Sequence, residues 1–367
     1  MASLSPNIGK IAGITIQLHW TFLVLLLLAF VLLVAVPDGL FSFLLIILLF
    51  VCVLIHELAH SLVSKYNKVE VKKIILLPIG GASIINTDRI KPNVELKIAI
   101  SGPLTSIGIG IIAGIVLFAT SPTGLLQQGI LFLFEINILL GVFNILPGFP
   151  LDGGRVLRAY LQKKHNFLDS TKIAVKVSKW VVGIFIAGTL VYAAIIPGVS
   201  FTYREFVVFW DLIIALFLYD GSNAELQAAL IKVHTDRMTA QEMTSKNYIL
   251  VQYGMATEQL YKSMLEHGTR IALLRKSGKV FGISDKELGK LVSGSKRITQ
   301  KESRYFSVPV PKIMYSERLS KTLETMRNDE INTVAVFKGR QIIGVIYTPY
   351  VDATLQMYLA KHSKSNK

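Results

Sequence analysis

Residues 40–60 read LFSFLLIILLFVCVLIHELAH, an apolar run that ends in ionisable residues. The part from Leu40 to Ile55 is long enough to form most of a membrane-spanning helix. It is followed directly by the motif His56-Glu57-Leu58-Ala59-His60. Ionisable residues are costly inside a membrane span, so three of them within five positions indicate a functional site.

The spacing of the two histidines is typical of a metal site. His56 and His60 share one helical face, because residues at i and i+4 lie above one another. Two imidazoles at this spacing can bind one Zn²⁺ ion, and Glu57 between them can act as a general base. A second interpretation is that the three are buried polar residues that pair with one another.

Six apolar stretches indicate a membrane protein that carries a soluble C-terminal part. Hydrophobic residues make up 52% of the 367 residues, whereas the last third of the chain is ordinary in charge. Each stretch reaches or approaches the roughly 20 residues that a span requires. We therefore predict an α-helical polytopic membrane protein whose residues 1–222 contain about six transmembrane helices, at 20–36, 40–64, 96–120, 125–146, 173–196 and 206–219.

The loop charges predict the orientation of these helices. Lysine and arginine are retained on the cytoplasmic side of a membrane. The second-to-third and fourth-to-fifth loops are rich in them, whereas the three opposite loops contain only Arg204. We therefore predict a multi-pass protein of the cell membrane with both termini and the soluble part in the cytoplasm. This topology and attraction to anionic lipid explain the net charge of +15, so no nucleic-acid partner is expected.

A hydrolytic zinc site usually has three protein ligands and one open position, so a third ligand must lie elsewhere in the chain. Asp152 is the best candidate, because the loop charges place it at about the same depth as His56. Pro147 and Pro150 break the preceding helix, and two glycines after Asp152 permit a turn toward the bundle. A simple helix exit is the second interpretation of these prolines and glycines.

Together these motifs resemble the site-2 protease family of intramembrane zinc metalloproteases. The resemblance covers about residues 10–225. It implies an enzyme that hydrolyses peptide bonds of membrane-spanning substrates within the bilayer. One departure is Ser106, at a position where the family commonly has asparagine. The resemblance is carried by HELAH at 56–60, by the pattern Asn-x-x-Pro-x-x-Pro-x-Asp-Gly-Gly-Arg at 144–155, by PIGG at 78–81 and by IQLHWTF at 16–22.

Individual roles follow from the chemistry and from this resemblance. One zinc ion per chain would be bound by His56, His60 and Asp152. Glu57 would accept a proton from the attacking water and later return it to the leaving amine. Asn144, by its position and by the family pattern, would donate a hydrogen bond to the oxyanion. The second interpretation of Asn144 is hydrogen bonding between helices.

Residues 69–87 read as two short β-segments around a glycine turn, directly after the predicted zinc helix. A substrate helix hides its carbonyl groups in its own hydrogen bonds, so hydrolysis requires an extended segment. An exposed strand edge near Gly80 and Gly81 could hold such a segment by strand addition. An interfacial hairpin that only anchors the loop is the second interpretation.

The soluble part contains an internal repeat of α/β character. A pattern of strand, helix, strand, tight turn and strand occurs twice, and an offset of 62 residues superimposes Met264 on Met326 and Gly282 on Gly344. The single cysteine of the chain excludes an internal disulfide, which suits a cytoplasmic location. We predict a linker at 223–247, a first repeat at 248–294, a second repeat at 295–360 and a polar tail at 361–367.

The repeat resembles a pair of cystathionine-β-synthase (CBS) domains. This resemblance implies binding of an adenine nucleotide, ATP or AMP, and a homodimer formed through these domains. Ser284, Thr348 and Asp352 are the residues that would bind the ribose, although their spacing differs from the family pattern in both copies. A purely structural or dimerising pair is the second interpretation.

A membrane transporter or channel with a CBS regulator is the alternative from another functional class. It would use the intramembrane histidines and aspartate as an ion path. This alternative accounts for the predicted spans and for the repeat. It does not account for a glutamate between two histidines at i and i+4, or for an Asp-Gly-Gly segment at matching depth. The expected partners of the protease are the lipid bilayer and a transmembrane protein substrate.

Overall fold

The structure is a computed structural model of the chain. It divides into two units, residues 1–229 and 230–367, and each is described by itself. The residues that it describes are 6–78, 80–85, 90–195, 201–251, 257–276, 279–284, 288, 310–329, 331–351 and 353–355.

The first unit is mostly helical, which confirms the predicted fold class. The last of its helices extends to Arg237, beyond the boundary between the units. The helices are α1 (Trp20–Val34), α2 (Gly39–Tyr66), α3 (Pro92–Thr120), α4 (Gly124–Ile145), α5 (Asp152–Leu161), α6 (Phe167–Ile195) and α7 (Phe201–Arg237).

Four helices are long and apolar enough to cross a membrane, namely α2, α3, α4 and α6. They coincide with four of the six predicted spans. The first predicted span forms α1, whose 15 residues measure about 22 Å at 1.5 Å per residue, less than the roughly 30 Å of a hydrocarbon core. The sixth forms part of α7, which is not among the four found in the described part of the chain.

A four-stranded sheet lies beside these helices, and it includes the two predicted β-segments. The strands pair in the order β1-β2-β3-β4, with β2 parallel to β3 and the other neighbours antiparallel. The sequence analysis did not predict the contribution of the first two strands. Ile14, Ile16, Ile74 and Leu76 are buried, which favours this pairing. The strands are β1 (Asn7–Ile11), β2 (Ile14–Leu18), β3 (Val71–Leu77) and β4 (Gly80–Ile85).

Close approach of α3 and α4 forms the centre of the first unit. A Cβ atom at Gly110 would lie 2.8 Å from Ile138 Cδ1, and one at Gly141 would lie 2.9 Å from the carbonyl oxygen of Pro103. Small residues allow helix backbones to approach closely in a membrane, where packing replaces the hydrophobic effect as the driving force. These contacts hold α3 closely against α4.

The second unit contains two sheets of the same construction, which confirms the repeat. In each sheet the first strand is parallel to the second, and the second pairs with the third in an antiparallel hairpin. Three elements of the first repeat begin 62 residues before their counterparts. The elements are β5 (Ile249–Val251), α8 (Thr257–Glu266), β6 (Ile271–Lys276), β7 (Lys279–Ser284), β8 (Lys312–Met314), α9 (Leu319–Asn328), β9 (Thr333–Lys338) and β10 (Gln341–Tyr347).

The two repeats exchange their leading segments. Ser245, which precedes the first repeat, pairs with Val345 of β10 in the second. Val310, which precedes the first strand of the second sheet, donates its backbone N–H to the carbonyl oxygen of Val280 in β7, at 2.8 Å. Buried side chains of both repeats, including Leu273 and Val336, share one hydrophobic cluster. The repeats therefore stabilise each other. The boundaries at 223–247, 248–294 and 295–360 stay predictions.

Candidate functional site

Three side chains from distant parts of the sequence converge at one point in the first unit. His56 Nε2 lies 3.2 Å and His60 Nε2 lies 3.0 Å from Asp152 Oδ2, and the two imidazole nitrogens are 3.2 Å apart. One ligand atom from each of the three residues falls within 4.8 Å of the others. Both histidines are buried and Asp152 is half-buried. The structure thus brings together the three ligands that the sequence suggests.

The loop before α5 places Asp152 at this point. Asp152 is the first residue of α5, and the two glycines after it permit a turn that other residues would obstruct. A Cβ atom at Gly153 would lie 2.2 Å from the carbonyl oxygen of Ile145, and one at Gly154 would lie 2.6 Å from the backbone nitrogen of Phe149. The tight turn therefore requires Gly153 and Gly154. It brings the first turn of α5 against the last residue of α4.

The helix α3 orients both imidazole rings. His60 Nδ1 lies 2.7 Å from the carbonyl oxygen of Ile98, which can only accept a hydrogen bond, so Nδ1 carries a proton and Nε2 of the neutral imidazole has the lone pair. His56 Nδ1 lies 3.0 Å from the hydroxyl oxygen of the buried Ser106. Such partners hold the ring of a metal-binding histidine in place. Ser106, which departs from the family pattern, is thus in contact with the histidine motif.

Gly102 of α3 faces the two imidazoles from a very short distance. A Cβ atom at this position would lie 2.2 Å from His60 Nε2 and 2.7 Å from His56 Nε2. Only glycine therefore leaves space where the two Nε2 atoms meet. Ile98, Gly102 and Ser106 were not predicted to belong to the site. The available signals were the Ser-Gly-Pro sequence at 101–103, which contains Gly102, and the departure from the family pattern at Ser106.

We expect Gly102→Ala to eliminate zinc binding while the protein stays folded. The added methyl group would occupy the space beside both Nε2 atoms, and alanine is otherwise more favourable than glycine in a helix. Gly108→Ala on the same helix is the matched control, because its Cβ would meet nothing within 4 Å. Zinc content of the purified variants checks this, and a full zinc complement in Gly102→Ala would contradict the described geometry.

Glu57 lies between the histidines on α2 and beside the strand β4. A Cβ atom at Gly81 would lie 2.4 Å from Glu57 Cγ and 3.4 Å from Glu57 Oε1. Gly80 has a φ of +139°, a conformation that side chains other than glycine rarely adopt. The predicted base is therefore a neighbour of Gly81, one of the two predicted substrate-binding glycines.

Asn144 is half-buried near the end of α4. Its Nδ2 atom donates a hydrogen bond to the carbonyl oxygen of Leu140 at 2.9 Å, within the same helix. An amide group has two N–H donors, so this bond leaves the second one available. The predicted oxyanion role of Asn144 stays a prediction.

The predicted nucleotide residues belong to the second unit. Ser284 is buried at the end of β7, and Thr348 follows β10 and donates its backbone N–H to the carbonyl oxygen of Asn332 at 3.0 Å. Asp352 lies outside the described residues. The ribose contacts predicted for these residues stay predictions.

A family model and a known protein both match the chain. The family model of peptidase family M50 matches residues 44–130 and 122–187. A zinc metalloprotease of Methanocaldococcus jannaschii is 35% identical over 348 residues, which cover 93% of each chain.

Two solved structures are also similar to parts of the chain. A site-2 protease from Methanocaldococcus jannaschii is 36% identical, with a TM-score of 0.42, and the match covers 60% of this chain and 95% of that one. A CBS domain pair in complex with 5′-methylthioadenosine and S-adenosyl-L-methionine is 15% identical, with a TM-score of 0.28, and the match covers 33% of this chain and 98% of that one.

The similarity to the zinc metalloprotease of Methanocaldococcus jannaschii shows the family of the chain. Its identity of 35% extends over 93% of both chains. The transporter alternative has no comparable support. The chain therefore belongs to the site-2 protease family, peptidase family M50, and is a zinc metalloprotease of the site-2 type.

Proposed function

We propose that this protein hydrolyses peptide bonds of membrane-spanning substrates with a zinc ion bound by His56, His60 and Asp152. The observation that carries this proposal is the convergence of these three side chains within 4.8 Å, beside a glutamate and on a helix that is long and apolar enough to cross a membrane. Peptide-bond hydrolysis at this place would occur within the bilayer.

The residues present fit a zinc ion. Two imidazole nitrogens and one carboxylate oxygen are a donor set that zinc accepts in hydrolytic sites. The Nδ1 atoms of both rings are engaged by α3, so the Nε2 atoms face the shared point. When bound, the ion would supply Lewis-acid activation of water and of the scissile carbonyl group.

The remaining chemistry belongs to Glu57 and Asn144. The Glu57 carboxylate would accept the proton of the attacking water and then deliver it to the nitrogen of the leaving amine. The second amide N–H of Asn144 would donate to the oxygen on which negative charge develops. Both groups act only if the substrate is extended beside them.

The strand β4 is our proposed docking edge for the substrate. Among the described strands it is the last of its sheet, with β3 on one side only. Gly81 brings this strand beside Glu57. A substrate segment that pairs with β4 would be extended next to the catalytic carboxylate.

Disulfide crosslinking tests this docking. A cysteine at Ala82 of β4 should crosslink to alternate positions of a substrate scanned with single cysteines, because side chains alternate along a strand. Uniform crosslinking at every position would favour the interpretation of the hairpin as a simple anchor. Cys52, the single cysteine of the sequence, is replaced before the scan, so that every crosslink comes from an introduced cysteine.

Removal of the metal tests the function itself. We expect a chelator to abolish cleavage of a transmembrane substrate by the purified protein, because a carboxylate base alone does not supply the Lewis-acid activation of water and of the scissile carbonyl group. One equivalent of zinc per chain should restore the activity. Cleavage that persists in protein shown to be free of metal would overturn the proposal.

We also propose that the protein crosses the membrane several times, with both termini and the second unit in the cytoplasm. The proposal is supported by four membrane-length helices and by the lysine and arginine residues of alternate loops. A reporter that is active only in the cytoplasm, fused after Lys367, checks the orientation. An inactive but intact fusion would contradict it.

For the second unit we propose an adenine-nucleotide site, for ATP or AMP, and a homodimer. The supports are the exchanged repeats, which resemble a CBS pair, and the hydroxyl groups at Ser284 and Thr348 with the carboxyl group at Asp352. Calorimetric titration of the full-length protein with ATP and AMP, and its mass in detergent, test the two parts. No heat of binding, or a monomer, would favour a purely structural role.

A further inference from the structure

Arg158 is a buried arginine that joins three helices of the first unit. Its side chain lies on α5, six residues after Asp152, and the residue is 8% exposed. Its Nε atom donates to Glu95 Oε1 on α3 at 2.9 Å, and its Nη2 atom donates to the same oxygen. Its Nη1 atom donates to Glu225 Oε2 on α7 at 3.3 Å. We call Glu95, Arg158 and Glu225 the arginine clasp.

Neighbouring side chains hold the clasp in one geometry. The guanidinium carbon of Arg158 lies 5.0 Å from the ring centroid of Phe149 and 5.2 Å from that of Phe167. Aromatic rings at these distances attract the cation and exclude water from it. Gln162 donates to the second oxygen of Glu95 at 3.1 Å. A planar guanidinium group with partners on two sides has little freedom to move.

The helices that the clasp joins are those that build the metal site. Asp152 is the first residue of α5, and α3 carries Gly102 and the groups that orient both histidines. The third helix, α7, also touches the loop before Asp152, since a Cβ atom at Gly221 would lie 2.7 Å from Pro150 Cγ. The clasp therefore connects α5, which carries Asp152, to α3, which orients the imidazole rings of His56 and His60.

We propose that Glu95, Arg158 and Glu225 are positioning residues that set the place of Asp152 relative to His56 and His60. This inference rests on the proposed zinc site. A helix of ten residues such as α5 has little stability of its own, so its position depends on tertiary contacts. A metal site tolerates errors of only a few tenths of an ångström in its ligands. Because Glu225 belongs to α7, the position of α7 also sets the affinity for zinc.

The rate of zinc release and the spectrum of cobalt test this role. Full-length protein in detergent micelles is loaded with Zn²⁺, and the rate of zinc release is measured with a chelating dye. A second sample is loaded with Co²⁺, whose visible absorption spectrum reports the geometry of its ligands. Glu225→Gln and Arg158→Lys should release zinc about tenfold faster than wild type, as for other groups that orient metal ligands. Both should also change the cobalt spectrum. Asp220→Asn, which removes an exposed carboxylate from α7, should change neither.

The outcomes separate this inference from simpler readings. A lower melting temperature of the metal-free variants with wild-type zinc release and cobalt spectra would show a merely structural role and overturn it. If Glu225→Gln does not fold, Gln162→Met removes one hydrogen bond from an uncharged donor to the Glu95 carboxylate and should speed release about threefold, because this single bond is weaker than the ion pair. A wild-type protein that binds no zinc would overturn the proposed function, whereas zinc-binding variants identical to wild type would overturn only the clasp.

Discussion

Glu57→Gln is expected to reduce the rate of substrate cleavage by about a thousandfold, as general acid and base catalysis contributes roughly 10² to 10⁴. The amide cannot accept the proton of the attacking water, although it has nearly the same size as the carboxylate. Glu57 is not one of the three converging ligands, so zinc content should stay at one per chain. Single-turnover cleavage of a transmembrane substrate, measured beside metal content, checks both parts.

The control for this variant is Glu70→Gln, the same substitution at an exposed position after the zinc helix. It should cleave substrate at the wild-type rate. Substantial cleavage by Glu57→Gln would contradict the assignment of the base and direct attention to another acceptor. Loss of zinc together with activity would instead show that Glu57 supports the metal site and not only the proton transfer.

Asp152→Ala is expected to weaken zinc binding by about 100- to 1,000-fold and to abolish cleavage. A structural zinc site of four ligands is worth about 10 to 16 kcal/mol, so one ligand accounts for roughly a quarter of that free energy. The loss also leaves two histidines on one helix as the remaining ligands, which do not enclose the ion. Competition with a chelator of known affinity measures the change.

Asp220→Ala is the matched control, because Asp220 is an exposed aspartate of the first unit. It should bind zinc as the wild type does. Unchanged zinc affinity in a folded Asp152→Ala protein would show that the third ligand is another residue. Excess zinc should not restore full cleavage to Asp152→Ala, because the substitution changes the geometry of the bound ion as well as its affinity.

The sequence was sufficient to predict that His56, His60 and Asp152 converge, because the signals of these residues are local. The i and i+4 spacing of His56 and His60 predicts one helical face without any knowledge of the fold. The prolines and glycines around Asp152 indicate a turn, and the loop charges place it near the depth of the histidines. Apolar runs predicted the four membrane-length helices for the same reason, since hydropathy is a property of consecutive residues.

The first and sixth predicted spans illustrate the limits of hydropathy. The apolar run from Trp20 predicts a longer helix than the 15 residues of α1. The run from Phe206 continues in the structure as part of the 37-residue α7. Where a helix begins and ends depends on contacts with neighbouring chain segments. One such contact is the hydrogen bond from the backbone N–H of His19 to the carbonyl oxygen of Leu76 in β3.

The sequence by itself predicted the apolar helices, the repeat and the three side chains that converge in the first unit, because each signal lies in residues that are close together or equally spaced. Only the tertiary structure decided the partners of these elements. It placed Ser106 against His56, 50 residues away, and Glu95 and Glu225 on Arg158, 63 and 67 residues away. Contacts over such separations depend on how whole helices pack, and no local pattern of residue types specifies which pairs will meet.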